Sequence, residues 1–339
     1  MSFQPSLIEL PVRHLSVFRA DLFRVSHGVN ENEPLSDASE LIHEDIYMLA
    51  EGAQPVRLAL APEDERGAFR VAADSAAGRA GAPLYLDSLL TFMDATGDTR
   101  EVLVFVEVDG REGTIAQVYL HALAPLDEKT GYTLVTIDRD GARARLAASA
   151  TIAFTRGTRI TMADGRQVPI EALRPGDRVL TRDSGPQAVR WTGMQTLRAT
   201  GAFAPITIAA GTLNNTGTLV VSPNHRLFIY QRVDALKAGR KEILVKAGLL
   251  VNGTSVTQEP GGFVDYFQVL FDKHEIIYAE GIAAESLFLD TNTRPALPEE
   301  VARRLAGTAA TRLPGHELHE ADLAARKDAV ALLKRISAL

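Results

Sequence analysis

Short runs in which β-branched and aromatic residues alternate with polar ones recur along the chain up to about residue 290, and they constrain the fold most. The run Glu101 to Val108, with the sequence E-V-L-V-F-V-E-V, is typical of them. A period of two places alternate side chains on opposite faces of a strand, and Gly, Asp and Pro bound these runs as turn residues. We therefore predict an all-β protein as far as residue 290.

Residues 1–150 are predicted to form a β-rich N-terminal domain, a sandwich or a roll. Its predicted strands are Ser16 to Val25, Pro55 to Ala61, Glu101 to Val108, Thr114 to Leu120 and Tyr132 to Asp138. Leu84 to Met93 fits a strand or a helix, because its apolar residues satisfy both periods. No functional motif is visible in this part of the sequence.

Composition excludes several function classes. The chain has 339 residues, of which 46% are hydrophobic, enough to bury two cores. A net charge of −7 lacks the basic excess of a nucleic-acid-binding protein. We find no apolar stretch of about 18 residues and no signal peptide of the Sec type, so we expect a soluble protein, cytoplasmic or exported by a non-Sec route. The absence of cysteine excludes disulfides, thiolate metal sites and thiol catalysis.

Residues 151–290 are predicted to form a second β unit with sharper turn signals. Asp164-Gly165 between two apolar runs predicts a hairpin, and Arg174 to Asp177 predicts a turn into the strand Arg178 to Thr181. Further predicted strands are Ala204 to Ile208, Thr218 to Val221, Arg226 to Gln231, Ile243 to Val245, Val264 to Phe271 and Glu275 to Ala279.

Residues 291–339 are predicted to form a helical tail. Pro298 suits a first helical position, and the segment Glu320 to Leu339 carries an apolar stripe. The stripe consists of Leu323, Val330, Leu333 and Ile336. We favour a helical cap on one β unit over a helix that binds a partner.

Polar breaks between the apolar strands of the second unit hold the candidate chemistry. His225, in Ser-Pro-Asn-His, reads by itself as a loop histidine bound to backbone groups. Asp272 and His274 could share a strand face as an orienting acid and a base, or belong to an ordinary surface hairpin. The close His spacing of zinc sites is missing, so no metal and no cofactor are expected.

Four motifs in order give these clusters a meaning. They are Ala153-Phe154-Thr155-x-Gly157-Thr158, Leu173-x-Pro175-Gly176-Asp177-Arg178-Val179-Leu180, Ser222-Pro223-x-His225-Arg226, and Asp272-x-His274 with Ala279-Glu280-Gly281-Ile282. Together they resemble a Hint domain of the Hedgehog/intein self-processing family, most closely the bacterial ones. The resemblance implies a pseudo-twofold, horseshoe-like β fold over residues 151–290.

The resemblance also implies an intramolecular acyl shift. The first Hint residue, at position 153, would attack the carbonyl of Ile152, with His225 facing the scissile amide and Ser222 at the family's hydroxyl position. The N-terminal domain would be the substrate, released or transferred to an external nucleophile such as water, an amine or a thiol. We expect Asp272 and His274 to orient or activate that nucleophile.

Two departures limit this chemistry. Position 153 is alanine, which cannot attack a carbonyl, so the chain as written is expected to be inactive. Either one cysteine was replaced, trapping the precursor, or the domain is naturally inert, and we favour the first. Glu285-Ser286 stands where splicing inteins have His-Asn, so splicing is not expected, and Val189 to Gln195 lacks the acid that serves sterol attachment in Hedgehog proteins.

Two rival hypotheses remain beside a self-processing precursor. One is a catalytically inert Hint scaffold or partner-binding module. The other is a trans-acting hydrolase that uses Ser222, His225 and Asp272. It lacks a Gly-x-Ser-x-Gly elbow, and Pro223 removes one N–H from the potential oxyanion hole.

Overall fold

The computed structural model describes residues 12–63, 68–149, 152–230, 241–287, 316–317, 331 and 333–334. The chain divides into two compact units, residues 1–146 and 147–339. Both consist mainly of strands, and nearly all strand pairs are antiparallel. The protein is therefore mostly β, as the period-two runs predict. In the described ranges, no helix is long and apolar enough to cross a membrane.

The described residues of the first unit form nine strands in one sheet. They are β1 (Arg13–Arg19), β2 (Phe23–His27), β3 (Ile46–Leu49), β4 (Val56–Pro62), β5 (Ala68–Val71), β6 (Pro83–Met93), β7 (Thr99–Val108), β8 (Ile115–Ala122) and β9 (Gly131–Asp138). The order is β2-β3-β9-β6-β5-β4-β1-β8-β7, and β6 also pairs with β7. This extra pairing closes β6, β5, β4, β1, β8 and β7 into a ring, so their edges are mutually satisfied.

Two details of the first unit go beyond the sequence prediction. Leu84 to Met93 is a strand, because β6 pairs with β7 from Leu84 to Met93. The predicted strand Ser16 to Val25 is instead two strands, β1 and β2, separated by a 3-10 turn at Ala20–Leu22. The aromatic rings of Phe23, Tyr47 and Phe92 pack against each other in the core, with centroids 5.3–5.5 Å apart.

The sequence analysis missed helix α1 (Ala142–Ser149), which precedes the Hint-like motifs. In the turn that precedes it, Asp138 Oδ1 accepts hydrogen bonds from the N–H groups of Asp140 and Gly141. Asp favours such turns because its side chain bonds to backbone N–H groups two and three residues on. The segment lies between two runs that predict strands, and we did not recognise it as a helix from the sequence.

The second unit contains two sheets. Its strands are β10 (Phe154–Thr155), β11 (Arg159–Thr161), β12 (Gln167–Pro169), β13 (Arg178–Thr181), β14 (Gly185–Ala188), β15 (Trp191–Arg198), β16 (Ile206–Ile208), β17 (Leu219–Val221), β18 (Arg226–Tyr230), β19 (Glu242–Lys246), β20 (Val256–Gln258), β21 (Phe263–Leu270), β22 (Ile276–Ala279), β23 (Ile282–Glu285) and β24 (His316–Glu317). One sheet has the order β15-β21-β10-β17-β16-β20. The other runs β12-β11-β22-β23-β18-β19-β24, with β13 beside β22 and β14 beside β13.

The predicted turns of the second unit are present. Strands β11 and β12 form a hairpin around Gly165, whose φ of +84° is a conformation that glycine adopts without steric cost. Gly176, with a φ of +98°, makes the turn that leads into β13. These two glycines stand where a side chain would strain the backbone.

The tail contacts the second unit at three places among its described residues: β24, Leu333 and Lys334. Strand β24 lies parallel to β19, and Leu333 is fully buried in the core of this unit. Leu333 belongs to the predicted apolar stripe, and the helical cap itself stays a prediction. The rest of the predicted stripe, Leu323, Val330 and Ile336, and the predicted helix start at Pro298 lie outside the described residues.

Candidate functional site

The peptide bond between Ile152 and Ala153 is buried. Ile152 is 6% exposed and Ala153 is 3% exposed. The strand that follows, β10, is a central strand, because Phe154 pairs with Val221 of β17 on one side and Phe267 of β21 on the other. The bond thus lies directly before a strand that is hydrogen-bonded on both edges.

A tight turn after β17 presents the Ser-Pro-Asn-His motif to this bond. The N–H of His225 donates to the carbonyl of Ser222 at 3.0 Å, which closes the turn. The N–H of Ala247 donates to the His225 carbonyl at 2.8 Å, and that of Gly248 donates to the Pro223 carbonyl at 2.9 Å. The backbone of the motif is therefore fixed independently of its side chains.

Ser222 and His225 both contact the backbone of Ala153. The N–H of Ala153 donates to Ser222 Oγ at 3.1 Å, and the N–H of Ser222 donates to the Ala153 carbonyl at 3.0 Å. His225 Nδ1 lies 3.1 Å from the same carbonyl. The resemblance implies that His225 faces the scissile amide. In the structure Ser222 contacts that nitrogen, and the His225 ring contacts the next carbonyl.

Burial lowers the pKa of the His225 imidazole to about 4, although hydrogen bonding to the backbone of Ala153 and Glu285 raises it; the charge of Arg226 adds a smaller lowering effect. A pKa in this range leaves the ring neutral at pH 7. Because a carbonyl only accepts hydrogen bonds, the contact with the Ala153 carbonyl is a hydrogen bond in the tautomer that carries the proton on Nδ1. Within the described residues, no hydrogen bond to Nε2 has good geometry. The backbone of Glu285 nevertheless lies close enough to the ring to raise its pKa, against the larger effect of burial. The ring also packs on Phe154, with centroids 4.3 Å apart.

The structure places Asp272 and His274 in different environments. Asp272 is at the surface, where its carboxylate accepts two hydrogen bonds from the Arg190 guanidinium at 2.7 and 2.6 Å. The Arg190 guanidinium lowers the pKa of this carboxyl. His274 is 4% exposed, and its Nε2 lies 3.6 Å from Glu285 Oε1. The two residues therefore do not form a pair with each other.

A buried charge cluster was missed by the sequence analysis. The Glu285 side chain is 1% exposed and lies between Arg226, with Nη1 3.2 Å from Oε2, and His274. Glu285 ends β23, and Arg226 directly follows His225. The signal in the sequence was a glutamate ending the apolar strand Ile282 to Ala284, but only the pairing of β18 with β23 brings it to Arg226.

The site offers hydrogen-bond donors and acceptors around position 153. Ala153 lines a small cleft together with Ser149, Gln195, Ser222, Asn224 and Gln268. These side chains are all uncharged. The methyl group of Ala153 has no lone pair with which to attack a carbonyl.

Comparison with known proteins agrees with the assignment of the second unit. Residues 152–291 match the family model described as Hint domain. No curated protein matches the chain. A solved structure titled "Crystal structure of gp41-1 intein" is similar, with 14% identity, coverage of 39% of this chain and 97% of that chain, and a TM-score of 0.25.

The second unit therefore carries a Hint domain, a class of domain found in self-processing proteins. The match covers less than half of this chain and leaves the first unit outside it.

Proposed function

We propose that the Hint domain cleaves its own N-terminal flank at the bond between Ile152 and Ala153, once position 153 carries a nucleophile. The observation that supports this is the burial of that bond with Ser222 Oγ and His225 Nδ1 on the backbone of residue 153. Residues 1–152, which include the first unit, would be the part released or transferred.

A cysteine at position 153 would supply the attacking atom. Its Sγ attacks the carbonyl carbon of Ile152, a C–S bond forms, and the C–N bond to residue 153 breaks. The thiol proton ends on the freed nitrogen, with His225 as the group that passes it, because Nδ1–H is already beside residue 153. Water then attacks the thioester and gives a carboxylic acid at Ile152 and the free thiol. An external amine or thiol would give an amide or a new thioester instead.

Ser222 has a separate part in this proposal. Its hydroxyl is bonded to the nitrogen that leaves, so it fixes the orientation of the scissile amide before attack. Asp272 and His274 lie in the surface ion pair and in the buried cluster described above. We assign neither of them a contact with the reacting atoms.

The matching experiment is the Ala153→Cys substitution in the full chain. With hydroxylamine or an added thiol, we expect fragments 1–152 and 153–339, and mass spectrometry should find a hydroxamate or thioester at Ile152. Ala202→Cys is the matched control, because Ala202 lines the same cleft without following the scissile bond. If Ala153→Cys folds and stays whole, the inert scaffold hypothesis replaces this one.

A further inference from the structure

Helix α1 ends three residues before the scissile bond, and its last residue is held by the Hint domain. The Asn224 side-chain Nδ2 donates to the Ser149 carbonyl at 2.6 Å. Only the amide nitrogen can make this bond, since a carbonyl accepts and does not donate. Carbonyls in the last turn of a helix have no partner within the helix, so Asn224 supplies one.

Asn224 belongs to the same turn as Ser222 and His225. Ser222 and His225 bind the backbone of Ala153, which follows the bond to be cleaved. Asn224 binds the carbonyl of Ser149, which precedes that bond. One short turn therefore holds the chain on both sides of the bond between Ile152 and Ala153. Ser149 is 5% exposed and lines the same cleft as Ala153, so the upstream anchor lies next to the reacting position.

We propose that Asn224 is a positioning residue that anchors the segment to be cleaved off, through the Ser149 carbonyl, so that the Ile152 carbonyl stays in line with position 153. This inference rests on the proposed function. Asn224 binds a main-chain carbonyl of the segment to be cleaved off, so the contact does not depend on which side chain stands at position 149. Displacement of a reacting group by about 1 Å costs up to about 100-fold in rate. Loss of an anchor this close to the bond should therefore lower the rate of the acyl shift.

The turn keeps its shape without the Asn224 side chain. Its backbone hydrogen bonds, from His225 to Ser222 and from Ala247 and Gly248 to the turn carbonyls, do not involve that side chain. Asn224→Asp preserves the size of the side chain and removes the donor. A substitution here therefore tests the anchor and leaves Ser222 and His225 in place.

Asn214 offers a matched control in the same unit. Its Nδ2 also donates to a main-chain carbonyl, that of Lys334 at 3.3 Å, away from the scissile bond. In the Ala153→Cys chain, cleavage is measured against hydroxylamine concentration, and the plateau at saturation reports the acyl shift. We expect Asn224→Asp to lower the plateau about tenfold with an unchanged half-saturating concentration, and Asn214→Asp to leave both unchanged.

A second measurement does not depend on cleavage. In the chain with Ala153, hydrogen exchange at the amides of Ile152 and Ala153 should become about tenfold faster in Asn224→Asp and stay unchanged in Asn214→Asp. Asn224→Ala replaces Asn224→Asp if the latter does not fold.

The outcomes separate this inference from the proposed function. If Ala153→Cys never cleaves, the proposed function fails, and the exchange measurement alone decides on the anchor. If cleavage occurs and Asn224→Asp changes neither the plateau nor the exchange, the anchor is overturned. Equal slowing by Asn224→Asp and Asn214→Asp also overturns it, because the effect would then come from the fold in general.

Discussion

The Ser222 hydroxyl accepts a hydrogen bond from the backbone N–H of Ala153 at 3.1 Å, inside a site where Ser222 is 6% exposed. This bond joins the turn after β17 to the start of β10, and the N–H of Ser222 returns a bond to the Ala153 carbonyl. The two residues thus form a reciprocal pair. The nitrogen of the peptide bond between Ile152 and Ala153 has a side-chain partner that a strand ladder does not provide.

Removal of this hydroxyl should destabilise the second unit. Ser222→Ala leaves a buried N–H without its acceptor, which costs about 1–3 kcal/mol in the free energy of unfolding. Urea unfolding of the chain with Ala153 measures the change. Ser222→Thr keeps a hydroxyl and should lose less. Equal stability of Ser222→Ala and the parent chain would show that the bond contributes nothing.

Substitution of His225 should slow cleavage in the Ala153→Cys chain. General acid–base groups contribute about 100-fold to 10,000-fold, so His225→Ala is expected to lower the rate of hydroxylamine-induced cleavage by at least about 100-fold. The rate is read from the appearance of fragment 153–339 on a gel. Cleavage at the parent rate, with the variant folded by circular dichroism, would remove His225 from the mechanism.

Protonation of His225 should couple stability to pH. Burial lowers the pKa of His225 in the folded protein to about 4 from its usual 6.5, so as pH falls between these values the unfolded chain binds a proton that the folded chain does not bind. The contribution of His225 to stability is fully present above pH 6.5 and is lost on acidification to about pH 4. It amounts to at most roughly 3 kcal/mol.

His225→Gln isolates this contribution from other groups. His121 in the first unit also has a pKa lowered to about 4 by burial, so the parent chain keeps a pH slope of another origin. We expect the unfolding free energy of His225→Gln to fall less than that of the parent between pH 6.5 and pH 4. Parallel pH curves for the two proteins would contradict a neutral, buried imidazole.

Two ion pairs of the second unit should respond very differently to the loss of one partner. Glu285→Ala leaves the largely buried Arg226 without its carboxylate, which costs about 3 kcal/mol or more in unfolding free energy. Asp272→Ala opens the exposed pair with Arg190, where solvent already screens both charges, so little change is expected. Thermal and urea unfolding compare the two variants. Similar losses in both would mean that burial does not decide the strength of these pairs.

Much of the site could be predicted because it is encoded in local motifs. The all-β character follows from period-two runs, and Gly165 and Gly176 predict turns because few other residues adopt a positive φ without strain. The order of four motifs was enough to identify the Hint domain. The same motifs contain residue 153, Ser222 and His225, which the structure brings into contact. These inferences need only residue types and their spacing along the chain.

Other features depend on which strands become neighbours. Leu84 to Met93 is ambiguous by period and became a strand because β7 pairs along its length. Glu285 meets Arg226 and His274 only after β23 pairs with β18 and β22. Asp272 and His274, two residues apart, separate into a surface ion pair and a buried cluster, because the chain turns between β21 and β22.

The sequence by itself determined the class of fold, the turns and the alanine at position 153, since backbone propensity and side-chain chemistry are local properties. Only the tertiary structure decided which atoms the motif residues touch: Ser222 on the nitrogen of residue 153, His225 on its carbonyl, and Asn224 on Ser149. The physical reason is that a hydrogen bond requires its two atoms within about 3 Å, and the partners of these bonds lie far apart along the chain.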